Sequence, residues 1–146
     1  LVILGEGRLR DDLEQLACNL GIQADVYMPG FVENPFQYMA RASVLVLSSE
    51  YEGLPGVLIQ AMACGCPVVS TDCPGGSREI LEDGKYGALV PVGNIQEIAK
   101  AILAEVDDPT RKEILLGRAE DFSVDQAVGH YLTLLDAAVT QSADRK

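Results

Sequence analysis

A parallel sheet covered by helices on both faces is the fold class this sequence predicts, and three observations predict it. Short apolar runs such as Leu1–Leu4 and Val44–Leu47 are continuous rather than alternating, as expected for strands buried on both sides. Segments with apolar residues at helical spacing lie between them. Most of the joins carry Gly, Pro or Asn, the residues that end one element and start the next. The chain has 146 residues, 48% of them apolar, which suits one domain with a sizeable core.

Each element has its own signal. Leu1–Leu4 is a strand ended by Gly5-Glu6-Gly7, and Leu9, Leu13, Leu16, Ala17 and Leu20 then mark a helix that Gly21 stops. Val26–Met28 is a short strand closed by Pro29-Gly30. Asn34-Pro35 opens a helix to about residue 42, with Pro at its first position. Ser43–Ser48 is a strand, and a helix from about Gly56 to Cys64 stops at Gly65. Pro67–Thr71 is a strand, Ser77–Leu81 a short helix with Ser77 as its cap, and Ala88–Val90 the last strand. Asn94 with Glu97 forms a capping box ahead of Ile95, Ile98, Ala99, Ile102 and Leu103. After Asp107-Asp108-Pro109 comes another helix, and Ser123 with Gln126 caps a final one. Residues 1–140 form the domain, and 141–146 read as a frayed polar tail.

Composition excludes several classes. Lys and Arg total 11 against 22 Asp and Glu, a net charge of −11, so no basic stripe is present for a nucleic-acid backbone. No apolar run approaches the roughly 20 residues of a membrane helix. Four cysteines and no signal peptide point to reduced thiols in a cytosolic protein. Cys64, Cys66 and Cys73 lack the paired spacing and fourth ligand of a zinc site and read as buried small thiols. His130 reads as a surface residue on a helix flank.

In parallel sheets ligands bind beyond the C-terminal ends of the strands, which singles out four loops. Gly5-Glu6-Gly7 resembles a phosphate turn, but Arg10 stands where the dinucleotide fingerprint has its third Gly. Pro29–Glu33 is the second loop. The third, Ser48–Gly56, sets hydroxyls and acids, then Gly53 and Gly56, just before a helix start whose free N–H groups suit a diphosphate. There Glu52 either accepts hydrogen bonds from sugar hydroxyls or, with Glu50, only complements the helix dipole; spacing leaves both open. In the fourth, Thr71–Ser77, Gly75 and Gly76 either admit a ligand or form an ordinary turn.

The stretch "SSEYEGLPGVLIQAMACGCPVVSTDCPGGSREILEDGKYGALVPVGN" resembles the donor-binding half of the retaining group 1 (family four) glycosyltransferases of GT-B architecture. The likeness runs from "LVILGEGRLRDDLEQLA" to "FSVDQAVGHYLTLL". It implies a Rossmann-like domain, the C-terminal one of the two in GT-B enzymes. It also implies transfer of a sugar from a nucleotide sugar to an acceptor hydroxyl with retention, in bacterial surface-polysaccharide or glycoconjugate synthesis. No metal is needed, and weak analogy favours a UDP-sugar.

On this likeness Glu52 holds hydroxyls of the donor sugar as the catalytic-site acid. Gly53, Leu54, Pro55, Gly5 and Gly7 face the sugar and phosphates, and Gly30 and Phe31 lie against the base. Gln60 stands where the family has a ribose-gripping Glu, a departure that keeps one acceptor oxygen and loses the charge. Gly75, Gly76 and Glu79 match a Gly-Gly-x-x-Glu element beside the donor pocket. The likeness further places the domain's first strand, with an Arg and a Lys for the diphosphate, ahead of Leu1, together with a whole domain that holds a sugar or lipid-linked acceptor. That domain leaves room for peripheral association with the inner face of a membrane. These residues alone are then inactive. Without the central strand, an empty slot between Leu1–Leu4 and Val44–Leu47, or direct pairing of the two, is expected. Two other readings compete: a GT-B-like nucleotide-sugar 2-epimerase, and a non-catalytic flavodoxin-like binding module. The acidic constellation of the first and the early acidic cluster with later Lys of the second are not visible.

Overall fold

The computed structural model describes residues 1–143 and divides into two compact units, Leu1–Tyr38 and Met39 onward. In the first unit, β1 (Val2–Leu4) and β2 (Tyr27–Gly30) pair in parallel, joined by α1 (Arg10–Asn19) and one turn of 3-10 helix over Gln23–Asp25. Pro29-Gly30 does not close the second strand as expected; both residues belong to it, because the Gly5 N–H donates to the Gly30 carbonyl at 2.8 Å and extends the ladder. The apolar spacing of α1 is real, yet Leu9, Leu13, Leu16 and Leu20 are all exposed and only Ala17 is buried. The described residues do not cover that stripe.

The second unit holds a three-stranded parallel sheet ordered β3 (Leu45–Leu47), β4 (Val68–Thr71), β5 (Ala88–Val90). All four residues of β4 are buried, which requires cover on both faces of this middle strand. On one face, Val68 joins Leu58, Ala61 and Met62 of α3 (Gly56–Ala63), Ile80 of α4 (Ser77–Ile80) and Leu115 of α6 (Lys112–Glu120) in the main core. Val69 points the other way, as strand alternation requires, and α5 (Ile95–Asp107) packs against β4 and β5. Complete burial of Leu58, Met62, Ile80, Leu81 and Leu115 is worth about 1.5–3 kcal/mol for each side chain, so this cluster anchors the unit. Gly87 fits because a Cβ there would stand 2.5 Å from Val68 Cγ2 and 2.6 Å from the Val68 carbonyl.

The two ladders reproduce the neighbour relations 2-3 and 4-5-6 of a Rossmann-like sheet. β1 and β3 belong to different ladders, each described within its own unit. The helix expected to about residue 42 is shorter, α2 (Phe36–Met39). Asn94 caps α5 by accepting from the Glu97 N–H at 3.1 Å, as its capping box predicts. The last helix, α7 (Val124–Ala143), takes in the first three residues assigned to the polar tail; 144–146 lie outside the described residues.

Candidate functional site

The sequence of the second unit places two glycine-bearing loops at one end of its sheet. β3 and β4 are parallel neighbours, so Ser48–Pro55 and Asp72–Gly76 leave from the same, C-terminal end. Backbone bonds tie them together: the Glu52 N–H donates to the Pro74 carbonyl at 3.1 Å, and the Gly76 N–H to the Gly53 carbonyl at 2.7 Å. Gly75 has φ +135°, and a Cβ there would lie 2.2 Å from the Glu52 carbonyl oxygen. At Gly76 it would lie 2.8 Å from Leu54 Cδ1 and 3.3 Å from the Gly53 oxygen. The close approach that these glycines permit is thus taken up by the Glu52–Leu54 segment, by backbone at Gly75 and by backbone and the Leu54 side chain at Gly76.

Glu52 is half-buried, and its Oε1 accepts from Ser49 Oγ at 2.6 Å. Ser49 is held in turn through its own carbonyl, which accepts from Thr71 Oγ1 at 2.5 Å. The carboxylate is therefore steered by a side chain of its own loop. α3 begins after Pro55 with no side-chain cap and no acid in its first turn, while Glu50 is exposed. Gln60 sits on the exposed side of α3, and Leu54 is exposed while Pro55 is buried.

Ser77 is not the helix cap expected of it. Gly76 is the N-cap of α4, and the buried Ser77 hydroxyl accepts instead from Ser70 Oγ at 3.2 Å. Arg78, the one cation of these loops and α4, is committed to Asp72 and, at 2.7 Å, to Asp83. Glu79 is exposed, and its carbonyl accepts from Arg118 at 2.7 Å.

In the first unit Gly5, Glu6 and Gly7 line a cleft of about 210 Å³ together with Arg10, Leu13 and Met28. Arg10 is engaged by the Met28 carbonyl at 2.8 Å and by Glu14 at 2.9 Å. The Glu6 carboxylate lies against Gly30, where a Cβ would stand 2.9 Å from Oε1. Phe31, next along the chain, is 77% exposed, a large aromatic surface beside that turn.

Among the described residues no three His, Cys, Asp or Glu side chains are grouped to hold a metal. Cys66 and Cys73 are buried as expected of apolar thiols, but Cys64 is only half-buried and Cys18 is exposed. Burial pushes the Cys66 thiol up to about 11. His130 is exposed on α7.

The family model for group 1 glycosyl transferases matches residues 1–108. This chain belongs to that family. Its glycosyltransferase relatives include a Campylobacter jejuni enzyme named as an N-acetylgalactosamine-N,N'-diacetylbacillosaminyl-diphospho-undecaprenol 4-alpha-N-acetylgalactosaminyltransferase. The two are 37% identical over 120 residues, which is 82% of this chain and 33% of that one. The lipopolysaccharide core biosynthesis glycosyltransferase LpsE of Rhizobium meliloti is 34% identical over 140 residues, 92% of this chain and 41% of the other. The chain thus spans well under half the length of either relative. Among solved structures, the apo lipopolysaccharide outer core galactosyltransferase WaaB superposes with a TM-score of 0.84 at 25% identity, over 94% of this chain and 40% of WaaB. Anabaena HepE in complex with UDP gives 0.70 at 25% identity, over 99% of this chain and 40% of HepE. The glycosyltransferase fold is that of the GT-B class, with parallel strands and helices on both faces.

Ser49 and Thr71 are the site residues that sequence reasoning missed. The Ser-x-x-Glu spacing from Ser49 to Glu52 was a visible signal for the first; the bond from Thr71, 22 residues away, had none.

Proposed function

We propose that this chain is the donor-binding part of a retaining glycosyltransferase. It moves a sugar from a UDP-sugar to an acceptor hydroxyl in the assembly of a bacterial surface polysaccharide or glycoconjugate. The observation that carries this reading is the half-buried Glu52 carboxylate, held at the C-terminal end of a parallel sheet just ahead of an uncapped helix start. A carboxylate there accepts hydrogen bonds from sugar hydroxyls, while the backbone of Gly53, Leu54 and Pro55 leads the diphosphate toward the α3 N–H groups. Gln60 accepts from a ribose hydroxyl, and Gly30 with Phe31 flanks the base. Gly5 and Gly7 serve the phosphates.

In the reaction the bond from the anomeric carbon to phosphate oxygen breaks, and the nucleoside diphosphate leaves with the electron pair. The acceptor oxygen bonds to that carbon on the same face, and its proton passes to an oxygen of the departing diphosphate. Preorganised donors stabilise the leaving diphosphate, so no metal is required. A relative named for an undecaprenol-linked sugar, another named for lipopolysaccharide core biosynthesis, and a neighbour holding UDP support this choice of acceptor and donor classes. Acceptor binding falls to parts of the full-length protein outside these residues.

Calorimetric titration of the full-length protein with UDP- and GDP-sugars tests the proposal. A UDP-sugar is expected to bind and to be displaced by UDP better than by GDP. Failure of every nucleotide sugar to bind a folded sample overturns the reading, and a clear GDP preference overturns the donor assignment. Product anomeric configuration, read by NMR, tests retention.

A further inference from the structure

Glu52 is the only side chain in its loop that is both half-buried and charged, and its direction is set by one contact. Ser49 Oγ donates to Oε1 at 2.6 Å, within the range of a charge-assisted O–H···O bond. The Ser49 backbone is itself pinned. Thr71 Oγ1, on the buried end of β4, donates to the Ser49 carbonyl at 2.5 Å and lies 3.3 Å from the Leu47 carbonyl. Ser49 is therefore fixed to the sheet through its main chain and to Glu52 through its side chain.

We propose that Ser49 is a positioning residue: its hydroxyl, anchored through Thr71 to β4, holds the Glu52 carboxylate in the orientation that meets the donor sugar. This rests on the reading of Glu52 given above. Two properties favour orientation over mere loop stability. The loop backbone is already fastened by the bonds of Glu52 to Pro74 and of Gly76 to Gly53, so the Ser49 hydroxyl adds little to its path. What the hydroxyl adds is a rotamer choice for a long side chain, at a place where about 1 Å of misplacement costs on the order of 100-fold in rate. Glu52 Oε1 is occupied by Ser49, and the other oxygen has no protein partner among the hydrogen bonds of the described residues. A sugar hydroxyl donating to that second oxygen would meet a carboxylate already oriented.

The test is a double-mutant cycle on the full-length enzyme, with kcat, donor KM and melting temperature measured for each variant. Ser49→Ala is expected to lower kcat by about 10-fold or more, the range of a hydrogen bond to a charged group, with the melting temperature nearly unchanged. Ser49→Thr keeps a hydroxyl and is expected to recover most of the rate. In the Glu52→Gln background, Ser49→Ala should cost little more, because the group it orients has lost its charge. If Glu52→Gln is severe while Ser49→Ala is harmless, or if the two losses simply multiply, the positioning role falls and the reading of Glu52 stands. If Glu52→Gln itself transfers sugar at the wild-type rate, the reading of Glu52 falls and the positioning role with it.

Discussion

Replacing Gly75 by Ala tests whether the two loops at the sheet end form one rigid seat. The added Cβ would stand 2.2 Å from the Glu52 carbonyl oxygen, 2.8 Å from its carbon and 2.9 Å from the Gly53 oxygen. All three neighbours are backbone atoms, so no side chain can swing aside. Carbon-to-oxygen contacts settle at about 3.3 Å, so the Glu52 peptide must retreat by about 1 Å, or the Gly75 turn must open by as much. Opening the turn is costly, since φ +135° already suits only glycine and strain of this kind is about 1–3 kcal/mol. Retreat carries Glu52 with it and stretches the 2.7 Å bond from Gly76 to Gly53. On the role proposed for Glu52 toward the donor sugar, a shift of about 1 Å predicts a loss near 100-fold, about 2.7 kcal/mol of barrier. The assay is initial-rate sugar transfer by the full-length protein, read beside a thermal melt. Each kcal/mol of strain left in the folded state lowers the melting temperature of a domain this size by about 2–4 °C. Gly117→Ala is the control, because a Cβ there meets nothing within 4 Å. Wild-type kcat with an unshifted melt for Gly75→Ala would refute the reasoning, because it would show that the loops separate without cost.

Glu52→Gln is expected to lower kcat about 100-fold, whereas Gln60→Ala should weaken donor binding by about 0.5–1.5 kcal/mol with little change in kcat; equal small effects in steady-state kinetics would remove the role assigned to Glu52. Gln60→Glu should tighten donor binding, since a charged acceptor makes the stronger bond to a ribose hydroxyl, and calorimetry showing no gain would count against ribose contact. Gly87→Ala should cost about 1–3 kcal/mol in denaturant melts, because the Cβ would fall 2.5 Å from the fully buried Val68; unchanged stability would mean that this part of the core yields. Because burial raises Cys66 to about 11 from 9.0, the folded state favours the neutral thiol, so its contribution is intact below pH 9 and is lost as pH rises toward 11. Wild-type stability should thus fall more steeply than that of Cys66→Ala over this window, and parallel pH curves would contradict it.

Leu45–Leu47 was legible because it lies within an unbroken apolar run, although Val46 is exposed rather than covered; Val68–Thr71 was legible from Val68-Val69, and the Ser70 and Thr71 that follow are buried as well. Ala88–Val90 came out with the bounds the sequence suggested. Helical periodicity was read correctly in α1 and α7, but periodicity reports only that one face is apolar. It does not say what lies against that face, and here Leu13, Leu16, Val128 and Leu132 remain exposed while the core is built from α3, α4 and α6 around Val68. Boundaries failed where a competing bond decided them. Pro29-Gly30 looked like a stop and is strand because the Gly30 carbonyl accepts from Gly5. Ser77 looked like a cap and is instead the buried partner of Ser70.

The candidate site was legible as a place before it was legible as a mechanism. Parallel topology alone sends the loops after Leu47 and Thr71 to the same end of the sheet, so their meeting follows from the strand order. Their contact is set by atoms that a one-dimensional reading cannot rank. Gly75 and Gly76 looked equally suited to admit a ligand or to make a turn, and the space a side chain would fill there holds the Glu52–Leu54 segment. The glycines therefore act through the loop they seat. The same holds for Ser49, which the sequence shows as one hydroxyl among several, and whose consequence lies in the 2.6 Å bond to Glu52. A substitution at either place should be felt at Glu52, and the double-mutant cycle separates the two routes. Loss of the Ser49 hydroxyl frees a rotamer, whereas a methyl at Gly75 moves the backbone that carries it. The first defect should be rescued by Thr at position 49, and the second should persist whatever stands there.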